Sequence, residues 1–372
     1  MTTLFEPFKL KDVVLRNRIT VPPMCQYMAN EGFPTDWHGP HLTGLGRGGA
    51  GLVILEATAV SPEGRITPNC LGIWSDAHGE ALRPLADAIR STGAVPGIQL
   101  AHAGRKGSAN RPWEGDHHIE ADDPRGWETI GPSAISFNSA KLPKIPLAMT
   151  IADIARVRSD FVKGAVRARD AGFEWLELHF AHGYLGQSFF STHSNQRTDV
   201  YGGSLENRSR FLLETLSAVR KVWPEHLPLA VRFGFVEYDG GDDVHFPEAL
   251  DIAKQFQANG ADFLNVSVGF STPTAKVPWS PAYLAPVSEI VRRELNMPVG
   301  VAWGIEQPAL ANDILDRQQA DLIMVGRPLL ANPNWPFRAA QELGVDKPAW
   351  TLPAPYAFWL DRYDLTLTQA PR

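Results

Sequence analysis

The sequence predicts an α/β fold, a (β/α)8 TIM barrel, and three observations support this prediction. Eight short runs of apolar and β-branched residues recur along the chain, longer stretches with helical spacing lie between them, and glycine follows several of those stretches. This alternation is typical of a parallel barrel. The eight predicted strands cover residues 18–24, 51–60, 95–102, 173–179, 227–234, 261–269, 298–304 and 320–326.

The predicted helices lie between these strands. They cover residues 81–92, 151–171, 205–222, 247–259, 282–295 and 308–318. Gly93, Gly172 and Gly260 each stand at or just beyond the end of a predicted helix. Glycine at such a position favours a helix C-terminus that needs a positive φ.

Two segments stand apart from the repeating pattern. Phe8–Leu10 and Val13–Leu15 flank Lys11-Asp12, which predicts a short hairpin that closes the N-terminal end of the barrel. Residues 104–149 follow the third strand and are rich in Pro, Asp, His and Trp, and an irregular loop of this length is usually functional. We expect residues 1–372 to form a single domain with an aromatic C-terminal arm at about 350–372.

Composition excludes several classes of protein. Of the 372 residues, 44% are hydrophobic and 20% are charged, which is enough apolar material for a sizeable core. The net charge is −6 and no Lys or Arg run is longer than two residues, so nucleic acid is not an expected partner. No apolar run approaches the roughly 20 residues that a membrane span needs, and no leader pattern is seen, so we expect a cytoplasmic protein.

Only two cysteines are present, Cys25 and Cys70. Two thiols are too few for a disulfide framework or for an iron–sulfur cluster. Redox chemistry in this chain would therefore need an organic cofactor, or a metal held by other ligands.

Polar side chains are predicted to point into the barrel from four strands. In each strand Leu, Ile or Val alternates with them, and the apolar residues should face the helices. The inward polar residues are Gln99, Glu177, His179, Arg232, Asn265 and Ser267. Buried polar groups need a partner or a ligand. A buried ion pair between Glu177 and Arg232 is one explanation, and a planar heterocycle such as flavin above these residues is another.

The ends of the last two predicted strands favour a phosphate site. Strand seven ends at Ala302-Trp303-Gly304, and strand eight is followed by Gly326, Arg327 and Pro328. Loops after strands seven and eight commonly bind phosphate in such barrels, through backbone amides and a guanidinium. A turn that carries a surface arginine is the alternative interpretation.

Four longer motifs carry a family resemblance that extends over nearly the whole chain. They are Pro22-Pro23-Met24-Cys25-Gln26-Tyr27, Gln99-Leu-Ala-His102-Ala-Gly-Arg105-Lys106, His179-Phe-Ala-His182-Gly-Tyr184, and Arg197-Thr-Asp-Val-Tyr201-Gly-Gly-Ser204-Leu-Glu-Asn207-Arg208. Together they resemble the Old Yellow Enzyme family of FMN-dependent ene-reductases, especially its bacterial xenobiotic reductase branch.

The resemblance implies that FMN is the cofactor and that NADPH or NADH is the reductant. The substrates would be small activated alkenes, such as enones, enals and maleimides, and nitro compounds. The residues that would contact FMN are Pro22, Pro23, Met24, Cys25, Ala57, Gln99, Arg232, Trp303, Gly304, Gly326 and Arg327.

The same resemblance implies roles around the substrate. His179 and His182 would hydrogen-bond a substrate oxygen that becomes negative when hydride arrives, and Tyr184 would protonate the α-carbon. Cys25 would tune the flavin, while Tyr27 and Trp303 would line the pocket. The aromatic arm implies a homodimer, or a dimer of dimers, in which Trp359 reaches the neighbouring active site.

Three other functions compete with this reading. His179 and His182 beside Glu177 could be ligands of a metal-dependent hydrolase, but strand one supplies no His-x-His, so we expect no metal. A non-enzymatic flavin-binding protein would not need the histidine pair and Tyr184. A dienoyl-CoA reductase type of barrel would add a cysteine-rich segment and a further domain.

Overall fold

Eight parallel strands form a closed barrel in the computed structural model, which describes residues 3–363. Within these residues the strands are β1 (Phe8–Leu10), β2 (Val13–Leu15), β3 (Ile19–Val21), β4 (Leu52–Ala59), β5 (Val95–Ala101), β6 (Ile130–Gly131), β7 (Leu147–Ala148), β8 (Trp175–Phe180), β9 (Leu229–Val236), β10 (Phe263–Val268), β11 (Val299–Val301) and β12 (Leu322–Met324). The barrel order is β3-β4-β5-β8-β9-β10-β11-β12, and β12 pairs with β3 to close the circle. The predicted (β/α)8 barrel is confirmed.

The first, seventh and eighth barrel strands are shorter than predicted. Each contains three residues, Ile19–Val21, Val299–Val301 and Leu322–Met324. Pro22 and Pro23 have no N–H to donate to a ladder, so the first strand ends before them. Trp303 and Gly304 have φ of 79° and 66°, which is incompatible with a strand. The predicted strand ends are therefore loops at the C-terminal end of the barrel.

Eleven α-helices occur in the described part of the chain. They are α1 (His38–Arg47), α2 (Asp76–Ser91), α3 (Ile151–Asp170), α4 (Leu185–Phe190), α5 (Leu205–Arg220), α6 (Asp242–Ala258), α7 (Ala285–Leu295), α8 (Pro308–Asp316), α9 (Arg327–Ala331), α10 (Trp335–Glu342) and α11 (Ala354–Leu360). None of them is both long enough and apolar enough to cross a lipid bilayer. Gly93, Gly172 and Gly260 have φ of 83°, 89° and 95°, as predicted for helix C-termini.

Three predicted helix starts were wrong. Helix α2 begins at Asp76 rather than at 81, because the Ser75 side chain accepts a hydrogen bond from the His78 N–H and caps the helix there. Helix α6 begins at Asp242, and Pro247 lies inside it rather than at its start. Helix α7 begins at Ala285 because Ala282 has a φ of 51°.

The N-terminal hairpin closes the barrel floor, as predicted. Strands β1 and β2 pair antiparallel, and their Phe8, Val13 and Leu15 side chains join a buried cluster inside the barrel. That cluster includes Trp175 and Phe263, whose rings meet edge to face at 5.1 Å between centroids. Apolar packing therefore fills the N-terminal half of the barrel, and the polar inward residues lie towards the other end.

The long segment after β5 is packed against the barrel. The Trp127 indole donates to the Glu63 carbonyl at 3.0 Å, and the Arg105 guanidinium donates to the Ser136 and Ser271 carbonyls at 2.9 and 2.6 Å. The last of these bonds reaches the segment after β10. This packing brings the loop to the C-terminal end of the barrel.

Candidate active site

A cavity of about 620 Å³ opens at the C-terminal ends of the strands. Eight predicted cofactor residues line it, namely Pro22, Pro23, Met24, Arg232, Trp303, Gly304, Gly326 and Arg327. Ala302 and Pro328, from the strand ends predicted to bind phosphate, also line it. Ile305, Glu306 and Met324 line it too and were not predicted, although each lies within two residues of a predicted one.

The other three predicted cofactor residues lie nearby. Gln99 is buried inside the barrel on β5, and Cys25 directly follows Met24. Ala57 lines a small cavity together with Tyr184. Ala57 also follows a bulge in β4, because the pairing register with β5 shifts between Leu55 and Ala57.

Glu177 does not form an ion pair with Arg232. Strand register places His179, not Glu177, beside Arg232. Glu177 instead accepts hydrogen bonds from Gln99 Nε2 at 2.6 Å and from Asn265 Nδ2 at 3.0 Å. Burial raises the pKa of Glu177 above its ordinary value, while Arg232 and the two amides act to lower it. The carboxylate thus fixes the orientation of one amide from the neighbouring strand β5 and of another from β10, two strands away on the other side.

The two predicted phosphate loops have special backbone geometry. Trp303 and Gly304 are consecutive residues with positive φ, and a Cβ on Gly304 would lie 2.9 Å from the Ser280 carbonyl oxygen. Gly326 and Arg327 begin the turn into α9. Only glycine fits at position 304 without displacing the neighbouring backbone.

The histidine pair and Tyr184 meet at the end of β8. The ring centroids of His179 and His182 are 4.8 Å apart, and that of Tyr184 is 5.1 Å from His179. His182 and Gly183 have φ of 62° and 68°, a tight left-handed turn that brings both histidines to one side. A Cβ on Gly183 would collide with the Phe270 carbonyl oxygen, so this turn requires glycine.

Hydrogen bonds and burial define the protonation of these groups. The Ala181 N–H donates to His179 Nδ1 at 3.4 Å, which places the His179 proton on Nε2, and His182 Nε2 lies 2.7 Å from the Ser267 hydroxyl. Burial, assisted by the Arg232 charge, lowers the pKa of both imidazoles well below the usual value. Burial raises the pKa of the Tyr184 phenol. At neutral pH the site therefore holds two neutral imidazoles and a protonated phenol.

Cys25 and Tyr27 lie on the loop after β3. Burial raises the pKa of the Cys25 thiol well above its ordinary value, so the thiol keeps its proton at neutral pH. The Tyr27 ring meets the Trp113 ring at 5.9 Å between centroids, which connects this loop to the long segment after β5. Burial also raises the pKa of the Tyr27 phenol.

A second cavity, of about 800 Å³, forms a mouth beside the histidine pair. Three residues that the sequence assigns to the substrate pocket line it, His182, Tyr184 and Trp303, together with Lys106, Phe137, Phe270, Thr272, Pro273, Ala275, Val277 and Trp279. Sequence reasoning missed the last eight as site residues. Lys106 belongs to the motif Gln99–Lys106, but no local pattern predicted a site in the segment after β10.

Trp359 lies apart from both cavities of its own chain. It is on α11 and is 71% exposed, and its ring packs against Phe358 at 5.2 Å. Residues 364–372 of the predicted arm lie outside the described residues. A role for Trp359 in this site therefore requires a second copy of the chain.

Comparison with known proteins identifies the family. The family described as "NADH:flavin oxidoreductase / NADH oxidase family" matches residues 3–346. The chain belongs to this family. An NADPH dehydrogenase of Geobacillus sp. (strain WCH70) is 42% identical over 352 residues, covering 92% of this chain and 95% of that protein. The chain is therefore an oxidoreductase.

Solved structures agree with this membership. The Old Yellow Enzyme homologue from Zymomonas mobilis matches with a TM-score of 0.76 and 27% identity, covering 98% of this chain and 99% of that one. The complex of 2-naphthoyl-CoA reductase with 2-naphthoyl-CoA matches with a TM-score of 0.83 and 26% identity over 91% of this chain, which spans 52% of that longer chain. The resemblance to the Old Yellow Enzyme family is confirmed, and FMN and NAD(P)H are the cofactor and reductant.

The residues around the first cavity, at the C-terminal ends of the strands, fit FMN. Four buried atoms in or beside it have no hydrogen-bond partner within the described chain: Arg232 Nε, Asn265 Oδ1, Trp303 Nε1 and the Tyr283 hydroxyl. Such atoms are costly unless a ligand satisfies them. A flavin has a polar pyrimidine edge, which Arg232 and Asn265 can hold, and a phosphate, which Arg327 and Gly326 can hold.

The histidine pair does not form a metal centre with Glu177. Within residues 3–363, no group of three or more His, Cys, Asp and Glu side chains is arranged to hold a metal ion. Both Glu177 oxygens accept from amides, and His182 Nε2 contacts Ser267. The ligand set that a metal-dependent hydrolase needs is thus missing from this part of the chain.

We predict that Glu177→Gln weakens FMN binding about tenfold or more, because an unsatisfied buried polar group costs about 1–3 kcal/mol. Gln99 and Asn265 donate to different oxygens of Glu177, and in Gln one of these oxygens is replaced by an NH2 group that cannot accept, so one of the two amides must turn. Fluorescence titration of the FMN-free protein with FMN measures the change. Glu174→Gln, on an exposed carboxylate that pairs with Arg90, is the matched control. Equal FMN affinity in both variants would contradict this role.

Proposed function

We propose that this protein is an ene-reductase that reduces the activated C=C bonds of enones, enals and maleimides, and also nitro compounds. The observation that carries this proposal is the cluster of neutral His179, neutral His182 and protonated Tyr184 at the end of β8. When bound, FMN accepts hydride from NAD(P)H and supplies it to the substrate. A protein that only bound flavin would have no need of this cluster.

The histidine pair provides hydrogen-bond donors for the substrate oxygen. When hydride reaches the β-carbon, negative charge develops on the carbonyl or nitro oxygen. His179 Nε2 carries a proton, and His182 can donate from Nδ1 when its Nε2 accepts from the Ser267 hydroxyl. Two fixed donors in a buried site favour the charged transition state more than the neutral substrate.

Tyr184 is the proposed proton donor to the α-carbon. Its phenol is buried beside both imidazoles, and burial raises its pKa, so the proton is present when the substrate binds. Tyr27 and Trp303 would line the pocket, and Trp303 lies with its ring centroid 6.2 Å from that of His182. Cys25 would adjoin the flavin as a neutral thiol and tune its potential.

The visible spectrum of the purified protein tests this function directly. We expect a yellow protein whose flavin band bleaches when NADPH is added without oxygen, and returns when cyclohexenone is added. Saturated cyclohexanone is the control, because it has a carbonyl but no C=C bond to reduce. A flavin that bleaches but is not reoxidised by any activated alkene or nitro compound would contradict the proposal.

His179→Ala and Tyr184→Phe separate cofactor binding from chemistry. We predict that each keeps FMN and loses about 100-fold or more in the rate of cyclohexenone reduction, since loss of one oxyanion donor typically costs about 10²–10³ in rate. Stopped-flow measurement of flavin reoxidation gives this rate. His193→Ala is a matched control, because His193 is half-exposed and pairs with Asp239. Unchanged reoxidation in both variants would refute the assigned roles.

The C-terminal arm suggests assembly with a second copy. Tyr356, Phe358 and Trp359 are 42%, 45% and 71% exposed on α11, and a cluster of exposed aromatic side chains marks an interaction surface. We propose that this arm reaches a neighbouring subunit in a homodimer or dimer of dimers.

A xenobiotic reductase-like subtype, a single domain over residues 1–372 and a cytoplasmic location also remain predictions.

Truncation after Ala354 tests the arm. We predict loss of the dimer and slower cyclohexenone reduction, because the truncation removes these aromatic side chains. Light scattering measures the assembly, and steady-state assays measure turnover. Val14→Ala, at an exposed apolar residue of the hairpin, is the control for general loss of surface apolar area. Unchanged assembly and turnover after truncation would rule out the proposed role.

A further inference from the structure

The Lys106 ammonium joins three loops beside the histidine pair. Its Nζ donates to the His182 carbonyl at 2.7 Å and to the Phe270 carbonyl at 2.9 Å. It also lies 4.0 Å from the centroid of the Phe137 ring. Among the described residues no carboxylate forms an ion pair with Lys106, and Glu237 and Asp116 act on it only through their charge, although it lines the mouth cavity. A cation in this position is not explained by a need to neutralise a neighbouring acid.

We propose that Lys106 is a positioning residue of the histidine pair, and that its positive charge stabilises an anionic oxygen bound there. This inference rests on the proposed function. It adds a lysine to the two imidazoles and the phenol, and it assigns the mouth a preference for ligands that carry or develop negative charge on oxygen.

Lys106 contacts the backbone of His182 and can hold it in place. The backbone φ of His182 is 62°, a conformation that is unfavourable for most residues other than glycine. Three contacts hold it: the His182 N–H donates to the Val268 carbonyl at 3.3 Å, Nε2 contacts Ser267, and the carbonyl accepts from Lys106. Lys106 is the only one of these three that comes from the segment after β5. Without Lys106, the His182 carbonyl would lose this hydrogen bond, and this end of the turn would be held less firmly.

The groups around the Lys106 ammonium do not neutralise its charge. Carbonyl oxygens and a ring face supply only partial negative charge, so Lys106 keeps a net positive charge close to the site. Arg105 lies on the same turn and Asp116 on the same segment after β5, while Glu237 follows β9, and all three charges act on Lys106. Burial, then the Arg232 charge and last the Lys106 charge lower the pKa of both His179 and His182.

This charge is sensitive to pH in the neutral range. Burial and Arg105 lower the pKa of Lys106 to about 7, against the opposing effects of Glu237 and Asp116. Below this pKa the ammonium is charged, and above it the amine is neutral. The stabilisation of an anionic oxygen is therefore present on the acid side and is lost as the pH rises through the pKa.

Binding of a phenolate to the oxidised FMN-loaded protein tests the inference without turnover. Pentafluorophenol is a suitable probe, because it is already ionised at neutral and mildly alkaline pH and its oxygen mimics the charged oxygen of the transition state. We expect its affinity to fall about tenfold or more as the pH rises through the Lys106 pKa, since hydrogen bonds to charged groups contribute about 1.5–3 kcal/mol. Changes in the flavin spectrum report binding.

Variants distinguish charge from structural support. We expect Lys106→Met, which keeps most of the stem, to bind the phenolate weakly at all pH values, and Lys106→Arg to retain binding without the pH dependence. Lys163→Met, at a lysine whose side chain is 59% exposed on α3, should behave like the unchanged protein. A wild-type pH dependence that persists in Lys106→Met would overturn the inference, and so would a flat wild-type profile.

Phenolate binding and alkene reduction are measured independently, so either can fail without the other. If the protein reduces no activated alkene, the phenolate affinity still reports whether Lys106 acts on a bound oxyanion. If it does reduce cyclohexenone, Lys106→Met should lower kcat more than it raises KM, because the developing charge appears only in the transition state. A variant with unchanged kcat and the wild-type phenolate profile would contradict the inference in an active enzyme.

Discussion

The polar end of the barrel depends on the Glu177 carboxylate, which accepts one hydrogen bond from β5 and another from β10. Gln99 and Asn265 cannot rotate while they donate to it, so their carbonyl oxygens are directed elsewhere. Arg232 lies on the strand between Glu177 and Asn265 and keeps an unpaired Nε. An incompletely satisfied polar layer above an apolar floor costs free energy that a ligand completing its hydrogen bonds recovers. This requirement explains why a flavin fits where it does.

Two left-handed backbone turns place further site residues in the loops above this polar layer. His182-Gly183 and Trp303-Gly304 are both pairs of consecutive residues with positive φ, at the ends of β8 and β11. Each pair turns an aromatic or imidazole side chain towards the cavities while a glycine passes close to another loop. Strain of this kind persists only where the surroundings hold it, and here hydrogen bonds from neighbouring loops do so.

Desolvation gives the site its chemical character. The same burial lowers the pKa of His179 and His182 and raises those of Tyr184 and Cys25. All four groups are therefore neutral at neutral pH, and the positive charge near them comes from Arg232 and Lys106. A site with neutral donors and nearby cations is suited to charge that appears on a substrate oxygen during the reaction.

The sequence alone determined the eight-stranded barrel and the inward polar residues, because alternation is a local property of a chain. It placed a candidate phosphate site at 302–304 and 326–327, but it assigned 303–304 and 326 to strands, where the structure has loops. Only the tertiary structure decided the partners of those residues. Strand register places His179 rather than Glu177 beside Arg232, and no local pattern encodes a register between strands far apart in sequence. Phe270 and Lys106 meet His182 only because loops after β5, β8 and β10 pack together, and such contacts depend on the closed barrel as a whole.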